Sequence, residues 1–229
     1  MKPAILERYD IIIKDALVKI LNIQLPEEAW SQATLPVAKG GLGLRPATEV
    51  AIAGYLSSIH ASSGIVQSLL PINVRGQQCN HYESALNEWK LRSGSVNLPQ
   101  NPIFQSEWDK PLYEARFDLL LHSATSEAER ARLLSVSSEG ASDWLHAIPI
   151  PSLGLHLDPM SVHIACGLRL GATLCHPHEC NCGEMVDSNG RHGLKCKQAR
   201  GRKMRHDEVN KLLKRGLDQA KIPSILEPI

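Results

Sequence analysis

The segment from Cys175 to Cys196 holds the residues best able to do chemistry. Four of the six cysteines and three of the ten histidines of the chain fall inside it. Thiolate sulfur and imidazole nitrogen at close spacing are the ligands that Zn²⁺ selects, and a structural zinc site needs four of them in a tetrahedron. The segment therefore predicts a zinc site.

Two ligand pairs frame the central part of this segment. Cys180 and Cys182 form a C-x-C pair, and His192 and Cys196 form an H-x3-C pair. The residues between the pairs include glycine, aspartate and asparagine, which turn the chain tightly and tolerate positive φ. This is the layout of a zinc knuckle, and it predicts a Cys3His site built from these four residues.

Other uses of the cysteines stay open from the sequence. C-x-C is tighter than the usual C-x2-C, so Cys175 or His178 is a candidate substitute for one of that pair. Disulfide pairing and unrelated free thiols are the alternatives to metal. A disulfide framework is typical of secreted chains, and we expect no secretion here. Cys79 and Cys166 stand apart from the cluster and are predicted to be buried as small hydrophobes.

The first 21 residues carry Glu7, Asp10 and Asp15 among apolar residues. Such a stretch is neither the apolar core of a signal peptide nor a membrane span. We therefore expect an intracellular protein, nuclear or cytoplasmic, without a membrane partner.

Basic residues concentrate around the end of the cysteine segment and beyond it. From 191 to 215, ten Lys and Arg stand against two acidic residues, a net of +8 in a chain whose total is +1. A solvated helix face is the simpler explanation, but the charge also fills the loop before the helix, which favours a polyanion partner such as RNA or DNA. The predicted nucleic-acid-binding residues are Arg191, Lys195, Lys197, Arg200, Arg202, Lys203, Arg205, Lys211, Lys214 and Arg215.

Apolar residues recur at helical spacing through most of the chain. Helices are predicted over 4–22, 26–36, 47–70 with a break near Gly64, 80–92, 111–122, 127–136, from 159 onward and over 202–220. Strands are hard to find before residue 137. Ser126 and Asp158 stand where helix N-caps are expected. The fold class is therefore mainly α, with a helical domain over 1–136 and a zinc-binding module over 137–229 that has a lead-in loop and ends in a basic amphipathic helix.

A glycine-rich run interrupts the first domain. In VAKGGLGLRP, three glycines surround Leu42. Such a run could cradle phosphate, but it lacks the glycine spacing and the Lys-Ser/Thr of a P-loop. We predict a tight turn.

Several stretches resemble reverse-transcriptase-like proteins of non-LTR retrotransposons. LPVAKGGLGLRPATEVAIAGYLSS is similar to the segment after the polymerase core, in the thumb and connection region. DWLHAIPI, LGLHLDP and GLRLGATLC resemble the lead-in to the zinc region, and CHPHECNCGEMVDSNGRHGLKC with GRKMRHDEVN and LEP resembles the zinc segment and the helix after it. The resemblance spans most of the chain in order and implies that 1–136 is thumb-like.

Carried over by position, the resemblance implies the same four metal ligands. It also assigns Arg202, Arg205 and His206 to the motif that comes after them. Family members carry an upstream polymerase palm with adjacent aspartates for Mg²⁺, and they commonly continue into a nuclease lobe. This sequence has no Asp-Asp pair and stops at Ile229, and two-metal phosphoryl transfer needs such carboxylates.

We therefore expect a non-catalytic fragment of a retrotransposon reverse transcriptase that binds nucleic acid with the help of zinc. The rest of a retroelement polymerase is a further candidate partner. The alternatives are a nuclease using His192 or His206 as a base, a structural zinc module for protein interaction, and a decayed reading frame without function. A closed four-ligand site argues against the nuclease, because catalytic zinc keeps an open position.

Overall fold

The computed structural model describes residues 3–71, 80–199 and 201–226. In these residues the chain forms ten α-helices, one hairpin of two short strands, and short 3-10 turns at Val37–Lys39 and Pro151–Leu153. The helices are α1 (Pro3–Leu21), α2 (Glu27–Ala33), α3 (Ala47–Leu69), α4 (Asn80–Ser93), α5 (Gln105–Ser123), α6 (Glu127–Val136), α7 (Asp143–His146), α8 (Pro159–Leu170), α9 (His192–Lys195) and α10 (Gly201–Gln219), and the strands are β1 (His178–Glu179) and β2 (Met185–Val186). The prediction of a mainly helical chain is confirmed.

The chain divides into two compact units, Met1–Ala172 (unit 1) and Thr173–Ile229 (unit 2). The predicted boundary lay after residue 136 instead. The difference arises because α8 packs on α1 and α2, and because His163 Nδ1 lies 2.7 Å from the carbonyl oxygen of Leu21. The helix predicted to lead into the zinc module is thus part of the helical unit.

Helix boundaries agree with the local signals except at α5 and at Gly64, where the predicted break is wrong because α3 continues to Leu69. The Ser126 hydroxyl accepts from the Glu129 N–H at 3.2 Å, and the Asp158 carboxylate accepts from the Met160 and Ser161 N–H groups, so both predicted N-caps are confirmed. The predicted start at Pro111 is wrong, because α5 begins at Gln105 and carries Pro111 inside it. Burial in the core outweighs the local penalty of an internal proline.

That core is built on two tryptophans. Trp89 and Trp108 are fully buried and meet edge to face, with ring centroids 4.9 Å apart. Each indole N–H is also satisfied, because Trp89 donates to the Trp108 carbonyl and Trp108 donates to the Pro102 carbonyl. Trp108 lies in the part of α5 that precedes Pro111 and belongs to this core, and its burial favours the early start of α5. Cys166 is also buried, as predicted, whereas Cys79 lies outside the described residues.

The glycine-rich run folds back on the end of α2. The N–H groups of Leu42 and Gly43 donate to the carbonyls of Ala33 and Leu35 at 3.0 and 2.9 Å. A Cβ on Gly41 would lie 2.0 Å from the Leu35 carbonyl oxygen. The run is the predicted tight turn, and these two N–H groups close the helix end.

Arg169 fixes this turn to the rest of unit 1. The residue is only 4% exposed, and within the described part of the chain its guanidinium meets oxygen atoms of uncharged groups. Nε donates to the Gly41 carbonyl at 3.2 Å, Nη2 donates to the Val37 carbonyl at 2.8 Å and to the Ser142 hydroxyl at 2.7 Å, and Nη1 lies 3.4 Å from the Ala141 carbonyl. Burial lowers the pKa of Arg169. One planar cation therefore joins α8, the glycine-rich turn and the loop before α7.

Replacing Arg169 with methionine should strongly destabilise unit 1. The side chain is similar in length but leaves buried carbonyl groups without donors, and we expect the free energy of unfolding to fall by at least about 2 kcal/mol. Urea unfolding followed by tryptophan fluorescence measures this. Arg130→Met removes an exposed arginine from α6 and should change the free energy by less than about 0.5 kcal/mol. Equal effects of the two substitutions would contradict the role of Arg169.

Two glycine-to-alanine changes should have opposite signs. Gly41→Ala forces a methyl group against main chain and should destabilise unit 1 by about 3 kcal/mol. Gly64→Ala lies on an exposed part of α3 with no atom within 4 Å of the new methyl, and it should stabilise the helix by roughly 0.5–1 kcal/mol. The same urea titrations report both, and a neutral Gly41→Ala would contradict the close approach.

Candidate metal centre

A hairpin turn positions the first ligand pair. β1 and β2 pair antiparallel with His178 opposite Val186. The Cys180 N–H donates to the Glu184 carbonyl at 2.9 Å, and the Gly183 N–H donates to the Cys180 carbonyl at 2.8 Å. Gly183 has φ of +85°, a conformation that glycine adopts without strain. The tight turn brings the sulfur atoms of Cys180 and Cys182 to one side of the hairpin.

A single helical turn positions the second pair. α9 begins at His192, and the Cys196 N–H donates to the His192 carbonyl at 2.8 Å. Residues four apart lie on the same face of a helical turn. His192 and Cys196 are also both buried. The H-x3-C spacing is therefore what directs both side chains to one point.

The four predicted ligands converge. Their ligand atoms all lie within 4.8 Å of one another. The sulfur atoms of Cys180 and Cys196 are 3.7 Å apart, and the Cys182 sulfur lies 3.2 Å from His192 Nε2. Metal–sulfur bonds of about 2.3 Å in a tetrahedron put sulfur atoms about 3.8 Å apart, and a sulfur and a nitrogen about 3.6 Å apart. These two pairs are close to the separations of a tetrahedral site, and the cluster could hold a metal ion.

The pKa values of the two hairpin thiols are shifted in opposite directions. The pKa of Cys180 is lowered to about 7, first because the Cys182 N–H donates to its sulfur, and further by hydrogen bonds from neighbours that include His192. The Glu184 N–H similarly lowers the pKa of Cys182, but desolvation and the nearby Cys180 sulfur outweigh it, so that pKa is raised. Ionising one thiol opposes ionising the next, and a bound cation removes that opposition.

The two substitute ligands do not join the cluster. The Cys175 sulfur lies 3.2 Å from the Asp187 carbonyl oxygen, and His178 Nδ1 lies 2.8 Å from the His176 carbonyl oxygen. The C-x-C pair therefore needs no replacement. Glu184 was missed by the sequence analysis, although its position two residues after Cys182 is the one from which a backbone N–H reaches a thiolate.

The predicted basic residues fall into different environments. Lys195, Lys197, Lys203 and Arg215 are exposed and have no ion pair within the described residues. Lys211 pairs with Glu208 at 2.7 Å, and Lys214 pairs with Asp218 at 3.0 Å. The Arg205 guanidinium donates to the Leu194 carbonyl at 3.0 Å, which ties α10 to α9. Arg191 is half-buried.

Parts of the predicted site lie outside the described residues, namely Arg200 and the side chain of Arg202. His206, assigned to the motif by resemblance, is exposed on α10, and its Nδ1 lies 3.6 Å from Asp207 Oδ1. Among the helices of the described segments, none is long and apolar enough to cross a bilayer.

No protein-family model, no curated protein and no solved structure matches this chain. Its function must therefore be inferred from the geometry of the cluster and from the charges around it.

Metal uptake should depend on the cluster alone. Wild-type chain should bind about one divalent ion, and Cys182→Ser should abolish this because it removes one of four ligands. Cys175→Ser is the matched control, since it removes a neighbouring thiol outside the cluster. Native mass spectrometry reports the stoichiometry. Loss of metal from both variants, or a wild-type chain that stays metal-free in excess metal, would contradict the assignment.

Proposed function

We propose that unit 2 is a zinc-stabilised module that binds nucleic acid through phosphate contacts. The observation that carries the proposal is a closed Cys3His cluster in the same small unit as exposed basic side chains that have no acidic partners among the described residues. Cys180, Cys182, His192 and Cys196 would hold the ion. Bound zinc would supply structural free energy and no reaction, because four protein ligands fill its tetrahedron.

Two features of unit 2 favour zinc: the chemical type of the ligand atoms and the small amount of buried apolar surface. Three thiolates and one imidazole are typical of structural zinc sites. Among the described residues of unit 2, only Val186, His192 and Cys196 are buried, and two of these three belong to the cluster. A unit with so little buried apolar surface needs another source of folding free energy, such as a disulfide or a structural metal ion. Metal binding would supply it, since the free energy of structural zinc is folding free energy.

The charge of unit 2 favours a polyanion. From Thr173 to Ile229 the sequence holds eleven Lys and Arg against seven Asp and Glu, a net of +4, and so the remainder sums to −3. Four exposed cations of the unit have no ion pair among the described residues: Lys195, Lys197, Lys203 and Arg215. Neutralising phosphates with such side chains releases counterions, which drives binding irrespective of sequence.

Base recognition is not favoured by this unit. Every Trp, Tyr and Phe of the chain precedes residue 173, the last being Trp144. Proteins that read single-stranded RNA or DNA stack bases on aromatic side chains, most often on Trp, Tyr or Phe, and unit 2 has none of these three. The proposed contacts therefore position a nucleic acid strand and carry little sequence preference.

The resemblance to reverse-transcriptase-like proteins of non-LTR retrotransposons agrees with this role. It supports a non-catalytic part of such a protein, in which unit 1 corresponds to the thumb and connection region and unit 2 to the zinc region. The tight turn that ends α2 and the α8 segment with Arg169 both lie in stretches that carry the resemblance. In this proposal they form a scaffold rather than a reaction centre.

A protein-interaction module is the second candidate, and one observation favours it. The apolar face of α10 is exposed: Val209 is 54% exposed, Leu212 is 63% exposed and Leu213 is 60% exposed. An amphipathic helix is predicted here, and in the structure the described residues leave its apolar stripe uncovered. Apolar association depends weakly on salt, whereas phosphate binding weakens steeply as salt rises.

A triple substitution at Lys195, Lys197 and Lys203 to glutamine should separate the two candidates. Removing up to three phosphate contacts should flatten the slope of log affinity against log salt by roughly 2 to 3 units, at about 0.7–0.9 per contact. Fluorescence anisotropy with a labelled single-stranded oligonucleotide and with a duplex measures the slope.

The matched control is the triple change of Lys19, Lys90 and Lys110 to glutamine. It alters the net charge equally but lies in unit 1, and it should leave the slope unchanged. Equal slopes in wild type and in the unit 2 variant would refute the phosphate site and favour a protein partner.

A further inference from the structure

We propose that Glu184 is the positioning residue of the metal centre, holding His192 in the orientation and tautomer that a metal ion needs. This inference rests on the proposed zinc site and adds a carboxylate to it. The side chain would not bind the ion. It would act through the imidazole ring.

The orientation of His192 leaves its Nδ1 in need of a hydrogen-bond acceptor. Its Nε2 faces the Cys182 sulfur at 3.2 Å, so Nε2 is the nitrogen directed into the cluster. The other nitrogen, Nδ1, is buried and has no hydrogen-bond partner within the described residues. A histidine that binds metal almost always donates its second N–H to a carboxylate, a backbone carbonyl or a water molecule, and that donation fixes the tautomer.

Among the described residues, Glu184 brings a carboxylate within reach of Nδ1. Its Oε2 lies 3.1 Å from Nδ1, a hydrogen-bond distance whose present alignment does not complete the bond. The Glu184 side chain is 67% exposed, so a small rotation can align it without displacing neighbours. Nearby, the Asp187 carboxylate already accepts the Arg191 N–H at 3.0 Å.

The backbone of Glu184 serves the other ligands of the hairpin. Its carbonyl accepts the Cys180 N–H at 2.9 Å, and its N–H donates to the Cys182 sulfur. One residue thus contacts three of the four ligands, two through its main chain and one through its side chain. Because the main-chain contacts survive any substitution that keeps the turn, the role of the carboxylate can be tested alone.

The test compares Glu184→Ala and Glu184→Gln with Glu179→Ala. Glu179 is an exposed carboxylate on β1 of the same hairpin, opposite Met185, which makes it a matched control. Zinc affinity is measured on the full chain by competition with a chromophoric chelator. Glu184→Ala should weaken zinc binding by about 10- to 100-fold. Glu184→Gln should weaken it less, because an amide oxygen still accepts the N–H without a charge. Glu179→Ala should match wild type.

A second readout separates positioning from a general loss of structure. In zinc-loaded, ¹⁵N-labelled wild type, the His192 Nδ1 proton should be observable and slow to exchange with water. In Glu184→Ala it should exchange rapidly, while the absorption of the cobalt-substituted chain still reports a tetrahedral site with three thiolates.

The outcomes distinguish this inference from the function on which it rests. A wild-type chain that takes up no zinc overturns the metal centre itself, and Glu184 with it. Tight zinc binding by wild type with an affinity in Glu184→Ala within twofold, and an equally protected Nδ1 proton, overturns the role of Glu184 and leaves the metal centre intact.

Discussion

The loops of unit 1 are held together by the hydrogen bonds of one buried guanidinium, which has no carboxylate partner among the described residues. Arg169 is taken out of water and compensated by carbonyl and hydroxyl oxygens from two loops. Burying a charge is expensive unless every donor is satisfied. Those loops are therefore held in the one arrangement that presents their oxygens to Arg169. The Arg169 carbonyl also accepts from the Gln32 side chain at 2.9 Å. The backbone of Arg169 therefore contacts α2, while its side chain contacts the glycine-rich turn that follows α2.

Unit 2 is organised in the opposite way. It has no Trp, Tyr or Phe and few buried residues, so apolar burial contributes little to its stability. Its polar atoms instead converge on one point, where three thiols and an imidazole meet. In the proposed zinc form, the ion is the main source of stability in unit 2, as the buried pair of Trp89 and Trp108 is in the core of unit 1.

The sequence could predict what depends on local spacing. The caps at Ser126 and Asp158, the four residues of the cluster and the helical course of the chain all depend on neighbours a few residues apart. The start of α5 could not be predicted in this way, since Trp108 is buried by residues distant in sequence. The contacts of Arg169 and the approach of Glu184 to His192 also depend on tertiary geometry. The ion pairs of Lys211 and Lys214 with acidic residues three and four positions away could have been predicted from helix periodicity. The net charge of the segment does not reveal them, because it sums charges without regard to which residues are neighbours.

The two units also differ in how much chain must be collected before their key contacts can form. All four residues of the cluster fall within 180–196, so closing that site encloses only a short loop and loses little chain entropy. The bond between Gln32 and Arg169 joins residues 137 positions apart. Contacts of such separation form slowly, and during synthesis this one must wait until α8 has emerged. Helix α2 therefore lacks this contact until α8 has been made, whereas the cysteine hairpin can close soon after it leaves the ribosome.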